Sequence, residues 1–136
     1  MTLAIQNVLA GRKHGHPFYF PQGLPGLDSH FTFYVETMPD NRFFCLLQAV
    51  EDEDVGIILV DPFPFFPDYD VDLLDTDRRE IKLQREEDLL ILTTVTVGDD
   101  KLYTNLAAPI LINLTEKRGR QIILPQRTEQ MREPLS

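Results

Sequence analysis

The chain is poor in the residues that crosslinks, membrane spans and nucleic-acid binding require. Its 136 residues include one cysteine and no tryptophan. A single cysteine excludes an internal disulfide and makes a reducing compartment the expectation. No apolar run approaches the roughly 20 residues that cross a bilayer. The 13 basic residues face 22 acidic ones, a formal charge of -9. This charge argues against direct nucleic-acid binding, which needs a basic surface to displace counterions.

The N-terminal apolar run, residues 3–10, does not have the order of a signal peptide. Its basic residues Arg12 and Lys13 follow the run, whereas a signal peptide carries its positive charges before it. We therefore expect a cytoplasmic protein. Cys45 lies in an apolar stretch, where burial raises the pKa of a thiol and makes it unreactive.

Motifs of catalysis and cofactor binding are missing. The sequence has no Gly-x-Ser-x-Gly elbow, phosphate loop or dinucleotide fingerprint, so we predict neither an enzyme nor a cofactor. Asp68, Asp70 and Asp72 fit positions one, three and five of a calcium loop. However, Leu73 and Arg79 stand where that loop requires glycine and glutamate, so calcium binding is not predicted.

Two weaker constellations leave alternatives open. His14 and His16 have no cysteine or acidic partner close in sequence, so a surface loop is expected there and no metal site. Asp61 and Asp68 could in principle form an acid/base pair. A small hydrolase that uses paired carboxylates is therefore a remaining, weaker alternative, although coincidence explains any pair among so many acids.

The apolar residues occur in short runs of strand length that are rich in β-branched and aromatic side chains. Turn-like segments separate them, a pattern that predicts an all-β fold, a small antiparallel barrel or sandwich. We expect residues 1–125 to form a single domain and residues 126–136 a polar tail, frayed or ordered only by contact. The predicted strands are residues 18–20, 31–35, 43–50, 56–60, 89–97, 110–114 and 121–124.

One short helix and one hairpin loop complete the predicted elements. The helix is expected near residues 76–83, with Asp75 as its N-cap and Lys82 at its C-terminal end. Residues 117–119 are expected to form a hairpin loop with Gly119 at a positive φ.

Residues 60–70 (VDPFPFFPDYD) combine three prolines, four aromatic rings and three carboxylates. Prolines at 62, 64 and 67 exclude a central strand or a helix, so the segment must be a loop, a turn or an edge. The rings are costly to expose, and some should pack under the barrel. Because Phe65 and Phe66 are adjacent, we expect only one of them to point inward. A stiff loop with an acidic rim favours recognition over chemistry. The expected contacts are Asp68, Tyr69 and one of the two adjacent phenylalanines.

Acidic residues are concentrated around this loop. Residues 51–80 contain two basic residues, Arg78 and Arg79, and half of the 22 acids. A solvated face explains many such runs, but a concentrated negative field also favours a basic partner. The acids are Glu51, Asp52, Glu53, Asp54, Asp61, Asp68, Asp70, Asp72, Asp75, Asp77 and Glu80.

An ordered series of short motifs resembles the FliW family of flagellar assembly factors, and the likeness covers about residues 18–125. The N-terminal motifs are residues 20–26 (FPQGLPG), 47–52 (LQAVED), 60–63 (VDPF) and 67–69 (PDY). The C-terminal motifs are residues 95–97 (VTV), 105–110 (NLAAPI), 112–113 (IN) and 118–124 (RGRQIIL).

The resemblance implies a small, non-enzymatic all-β protein of the bacterial cytoplasm. Members of this family bind the RNA-binding translational repressor CsrA, relieve repression of flagellin synthesis, and bind flagellin as a competing partner. A generic chaperone for one secreted client is the alternative. The resemblance and the acidic aromatic loop together predict these partner-binding residues: Asp61, Phe63, Phe65, Phe66, Pro67, Asp68, Tyr69, Asp70, Asn105 and Asn113.

Overall fold

Nine strands form one sheet that closes on itself. The computed structural model describes residues 17–27, 29–38 and 40–135, so the predictions for residues 3–10 and for Arg12, Lys13, His14 and His16 lie outside the described residues. The strands are β1 (Phe18–Tyr19), β2 (Thr32–Thr37), β3 (Phe44–Ala49), β4 (Gly56–Val60), β5 (Leu89–Gly98), β6 (Lys101–Thr104), β7 (Ile110–Asn113), β8 (Arg118–Gln121) and β9 (Glu133–Pro134).

The ring closes because β5 is long enough to pair with three strands. Residues 89–92 pair with β7, Thr93 and Thr94 with β4, and residues 95–98 with β6. The full order is β4-β3-β2-β1-β8-β7-β5-β6-β9, with β4 returning to β5. All neighbours are antiparallel except β1 and β8, which are parallel at Tyr19 and Arg118. The predicted all-β fold class is confirmed, and the closed ring is the barrel alternative.

Strand β7 has apolar layers on both of its faces. Ile110 and Ile112 join the main core, whereas Leu111 belongs to a second cluster with Tyr69 and Ile81. All four residues of β7 are buried as a result. The second cluster packs the loop and helix against the outside of the ring. The main core contains Phe18, Phe20, Leu24, Phe33, Val35, Cys45, Leu47, Ala49, Leu59, Leu90, Leu92, Ile110 and Ile112.

Cys45 is buried in this core, as the sequence predicted. Its thiol is fully inaccessible, and burial in apolar surroundings raises its pKa to about 12. The thiol is therefore protonated and unreactive near neutral pH.

The predicted hairpin is present, because β7 and β8 are adjacent antiparallel strands, but its loop spans residues 114–117 instead of 117–119. The turn comes earlier: Lys117 takes the positive φ, 56°, and Arg118 already begins β8. Gly119 is a buried strand residue that faces the ring of Phe20, which occupies the place where a Cβ would be. The predicted strand at 121–124 is wrong for the same reason, because the true strand starts three residues earlier. Glycine is common in turns, but here it lies within a strand and makes room for an aromatic ring.

The helix α1 spans Asp75–Glu80, so it begins and ends earlier than predicted. The predicted N-cap, Asp75, is wrong: Leu74 is the N-cap, and Asp77 Oδ2 accepts its N–H at 3.1 Å. Lys82 lies beyond the C-terminus with a φ of 56°. The N–H groups of Lys82 and Leu83 donate to the carbonyls of Arg79 and Arg78, the paired bonds of a Schellman motif.

The polar C-terminal segment packs onto the domain. A 3-10 helix, Pro125–Gln130, which is kinked at Arg127, is followed by β9, which pairs with β6 at Tyr103 and Thr104. Leu135 is 9% exposed beside Phe44 and Val60. The segment is therefore ordered by contact, and β6 and β9 are strands that the sequence did not predict. A second 3-10 helix, Glu86–Asp88, precedes β5. None of the helices in the described ranges is long and apolar enough to cross a membrane.

Candidate partner-binding site

The aromatic loop, residues 61–70, is fixed by its own backbone. Its three prolines at 62, 64 and 67 have no N–H, and five of the six N–H groups left in residues 61–69 donate to an acceptor. Asp61 N–H bonds Phe43 O at 2.8 Å. The N–H groups of Phe65 and Phe66 share the carbonyl of Pro62 at 3.1 and 2.9 Å. The loop therefore presents one defined shape.

Asp61 starts the turn from a buried position at the end of β4. Its carboxylate is 2% exposed, and its Oδ1 accepts the N–H of Phe63 at 3.2 Å. Burial raises the pKa of Asp61 to about 6, and the hydrogen bond from Phe63 opposes part of that rise. Asp61 thus shapes the loop from inside.

The phenylalanine rings of the loop are all half-buried. Phe65 makes edge contacts with Phe43 and Phe44, with centroids 5.8 and 6.3 Å apart. Phe66 packs against the second cluster and against a third cluster formed by Phe44, Val60 and Leu135. The expectation that only one of Phe65 and Phe66 points inward is therefore wrong: each packs against apolar side chains and keeps part of its surface in solvent. The reason is that the second and third clusters lie on the outside of the ring, where the loop can cover both.

Tyr69 is buried between the loop and the ring of strands and anchors the loop by a hydrogen bond. Its side chain is 5% exposed, and its hydroxyl donates to the carbonyl of Leu106 at 2.8 Å. The Phe63 ring lies 5.7 Å from its ring. Burial raises the pKa of Tyr69 well above its ordinary value, so the phenol remains a donor. Sequence reasoning placed Tyr69 on the contact surface, but in the structure almost none of it is accessible.

A cleft of about 290 Å³ separates the loop from the C-terminal 3-10 helix. Loop residues 65–69 form one wall, and Leu106, Arg127 and Gln130 form the other. Arg127 stacks over Tyr69 at 4.8 Å and pairs with Asp70 at 2.7 Å. Sequence reasoning missed Arg127, because a basic residue in a polar tail carries no signal of a contact 57 positions away.

The outer rim of the loop is acidic. Pro67, Asp68 and Asp70 are exposed, and so is Asp72 immediately beyond them. Only Asp70 has an ion-pair partner among the described residues. The hydrogen-bonded aromatic loop, with the carboxylates of Asp68 and Asp72 along its edge free of ion pairs to the described residues, can contact a basic protein surface without rearrangement.

The side chains of the two predicted asparagines form hydrogen bonds to backbone groups. Asn105 Oδ1 accepts Ala107 N–H at 2.9 Å, and its side chain is half-buried. Asn113 is 1% exposed and uses both ends of its amide. Its Nδ2 donates to the carbonyls of Ile81 and Lys82 at 2.9 and 3.1 Å. These two bonds tie the end of α1 to the sheet. Its Oδ1 accepts the N–H groups of Thr115 and Glu116 and so holds the turn that follows β7.

The structure thus divides the ten predicted residues into two groups. Asp61, Tyr69 and Asn113 are buried and can influence a partner only through the position of the loop and helix. The other seven expose at least part of their surface: Phe63, Phe65, Phe66, Pro67, Asp68, Asp70 and Asn105. Their role in binding a partner stays a prediction.

The geometry lends no support to metal binding or acid/base chemistry at this loop. Among the residues that the structure describes, no three His, Cys, Asp or Glu side chains converge on one point. The carboxyl group with the raised pKa, Asp61, does not line the cleft, and the carboxyl that lines it is Asp68. An acid/base pair would need both groups to face one substrate.

Comparisons with known proteins agree with one another. The family model described as "FliW protein" matches residues 8–135. The chain is 40% identical over 119 residues to the flagellar assembly factor FliW of Clostridium botulinum strain Langeland, covering 86% of this chain and 83% of that protein. The corresponding Clostridium tetani protein is 37% identical over 118 residues, covering 85% and 81%. The crystal structure of a flagellar assembly factor FliW superposes with a TM-score of 0.79 at 31% identity, covering 88% and 84% of the two chains.

Proposed function

Because the chain belongs to the FliW family of flagellar assembly factors, we propose that it is a non-enzymatic cytoplasmic regulator of flagellum assembly that binds the translational repressor CsrA. Binding relieves repression of flagellin synthesis. Flagellin is the competing partner, so that free flagellin withdraws the protein from the repressor. The assembly role comes with the family, and the identity of the two partners is the proposal.

The observation that carries this proposal is the aromatic loop, which is held by hydrogen bonds and has an acidic rim. Five loop N–H groups are hydrogen-bonded, so little conformational entropy is lost when a partner docks. Exposed parts of Phe65 and Phe66 supply apolar contact area beside the carboxylates of Asp68 and Asp72. A protein that binds RNA is basic on its binding surface, and an acidic loop complements it.

Charge at the rim should act mainly on the rate of encounter and on specificity. Exposed charges in water contribute little to affinity by themselves, but complementary fields steer association. The net charge of -9 strengthens this steering toward a basic partner. We therefore place Asp68 and Asp72 at the first contact with CsrA, and the half-buried rings in the final complex.

The experiment is to measure binding of CsrA and of flagellin, both from the same host, to the full chain and to two charge-reversed variants. Asp68→Lys changes the exposed rim of the loop. Glu116→Lys makes the same charge change in the exposed turn before β8 and serves as the matched control. We expect Asp68→Lys to weaken CsrA binding about tenfold at low salt, mainly through a slower association rate, and Glu116→Lys to have less than about a twofold effect.

Two results would contradict the proposal. Absence of binding to both CsrA and flagellin at low salt and micromolar concentration would remove the regulator function. Equal effects of Asp68→Lys and Glu116→Lys would keep the function but move the interface away from the aromatic loop. Competition between flagellin and CsrA for the chain distinguishes the partner switch from a chaperone that serves a single client.

A further inference from the structure

A second concave surface, whose lining carries a net positive charge, lies on another part of the molecule. The cavity is about 360 Å³ and is lined by Thr76, Arg79, Glu80, Lys82 and Arg118. It shares no lining residue with the cleft beside the aromatic loop. Three of its five lining residues are basic, in a chain in which acids outnumber bases by 22 to 13. We call it the basic cavity.

The positive charges of the basic cavity are not neutralised. Its one acid, Glu80, pairs with Arg120 at 3.4 Å. Within residues 17–27, 29–38 and 40–135, no ion pair joins an acid to Arg79, Lys82 or Arg118. The lining therefore keeps a net positive charge, and a charged concavity concentrates the field inside it, so the basic cavity attracts anions although the whole chain is acidic.

The scaffold of the basic cavity is rigid. Lys82 occupies the left-handed position of the Schellman motif, and its carbonyl and that of Ile81 accept hydrogen bonds from Asn113 in β7. On the opposite wall, Arg118 is the first residue of β8 and lies over the ring of Tyr19 at 5.4 Å. Basic side chains thus project from a helix end and a strand that share one hydrogen-bonded support.

We infer that the basic cavity binds a short acidic segment of a protein partner, through the carboxylates of Asp or Glu side chains. Guanidinium groups such as those of Arg79 and Arg118 can bond a carboxylate with two parallel N–H donors, and Lys82 adds a third positive group. Tyr19, which is 42% exposed beside Arg118, offers an apolar contact for a neighbouring side chain.

The charge distribution favours an acidic peptide over a nucleic acid. A nucleic acid carries a phosphate on every nucleotide, so a bound strand would extend beyond the basic cavity across an acidic surface. A short segment with two or three carboxylates can be held entirely by the basic cavity. This inference does not depend on the identity of the partner that contacts the aromatic loop.

The test uses the full chain and a fluorescein-labelled hexaglutamate peptide, with binding followed by fluorescence anisotropy at about 0.1 M salt. At that ionic strength the Debye length is about 10 Å, so distant acids are largely screened. We expect Arg79→Glu to weaken peptide binding at least about tenfold. Lys101→Glu makes the same charge change on β6, outside the basic cavity, and should change binding less than about twofold.

A second variant separates lost binding from lost folding. Lys82→Gly removes a charge and places glycine at a positive φ, which glycine adopts without strain. It should fold at least as stably as the parent chain and still bind the peptide about threefold more weakly. The inference is overturned if Arg79→Glu and Lys101→Glu change peptide affinity equally, or if Lys82→Gly binds the peptide as tightly as the parent chain. It is also overturned if the parent chain does not bind the peptide at millimolar concentration. Binding of a labelled hexauridylate as tight as that of hexaglutamate would contradict the choice of an acidic peptide.

Discussion

Gly119→Ala tests whether the Phe20 ring fills the space that a Cβ at residue 119 would need. A Cβ at residue 119 would lie 2.9 Å from Cε1 of Phe20 and closer still to Cε2 and Cζ. Carbon atoms prefer separations of about 3.5–4.0 Å, so the ring would have to move by about 1 Å. It cannot do so freely, because Phe20 is fully buried and makes an edge contact with Phe33 at 5.5 Å. We expect overpacking to lower the free energy of unfolding by about 2–3 kcal/mol.

The measurement is urea unfolding followed by circular dichroism, since the chain has no tryptophan. Gly56→Ala is the matched control: its Cβ would lie 3.1 Å from the carbonyl of Leu47, and the site is exposed, so we expect a loss below about 1 kcal/mol. In the double variant Phe20→Leu with Gly119→Ala, the smaller side chain makes room for the methyl group. The two losses should therefore fall short of additivity by at least about 1 kcal/mol. Additive losses, or a Gly119→Ala variant as stable as the parent, would refute the steric explanation.

Two further predictions concern buried polar residues. Asn113→Ala leaves the carbonyls of Ile81 and Lys82 without their amide donor, and we expect the free energy of unfolding to fall by about 2–4 kcal/mol in urea titrations; a loss below about 1 kcal/mol would show that Asn113 does not hold the helix end. Asp61 has a pKa near 6 in the folded protein, above its ordinary value of 3.8, so the folded state holds this proton more tightly than the unfolded chain. The burial penalty is therefore present above about pH 6 and disappears as the pH falls toward 4, and Asp61→Asn should flatten this part of the stability profile by up to about 3 kcal/mol. Parallel profiles for the two proteins between pH 4 and 7 would contradict it.

Much of the fold follows from local pattern. Short runs of β-branched and aromatic residues predicted strands that overlap β1, β2, β3, β4, β5 and β7. These predictions succeed because an alternating strand must bury one face wherever it lies. The aromatic loop was also predictable, because prolines at 62, 64 and 67 exclude a regular element in any tertiary setting.

Three of the errors share one physical cause, which is that the partner of the residue is distant in sequence. Gly119 was interpreted as a turn residue because nothing nearby shows that the Phe20 ring fills its place. β9 was missed because Glu133–Pro134 carries no strand pattern and is ordered by pairing with β6. Tyr69 is predicted to lie on the contact surface, but its side chain is buried and its hydroxyl donates a hydrogen bond to a carbonyl 37 residues away.

The sequence by itself determined the fold class, the stiffness of the aromatic loop, the inert thiol of Cys45 and the acidic balance that disfavours nucleic-acid binding, because each depends on residue type or local spacing. The tertiary structure alone decided which loop side chains are accessible and which polar side chains form hydrogen bonds to the backbone. It also decided where basic side chains without ion-pair partners among the described residues come together. Arg79 and Arg118 lie 39 positions apart and line one cavity because the second apolar cluster and the Asn113 hydrogen bonds hold the end of α1 against the sheet. Burial and convergence of charge are properties of packed surfaces, and a linear pattern does not contain them.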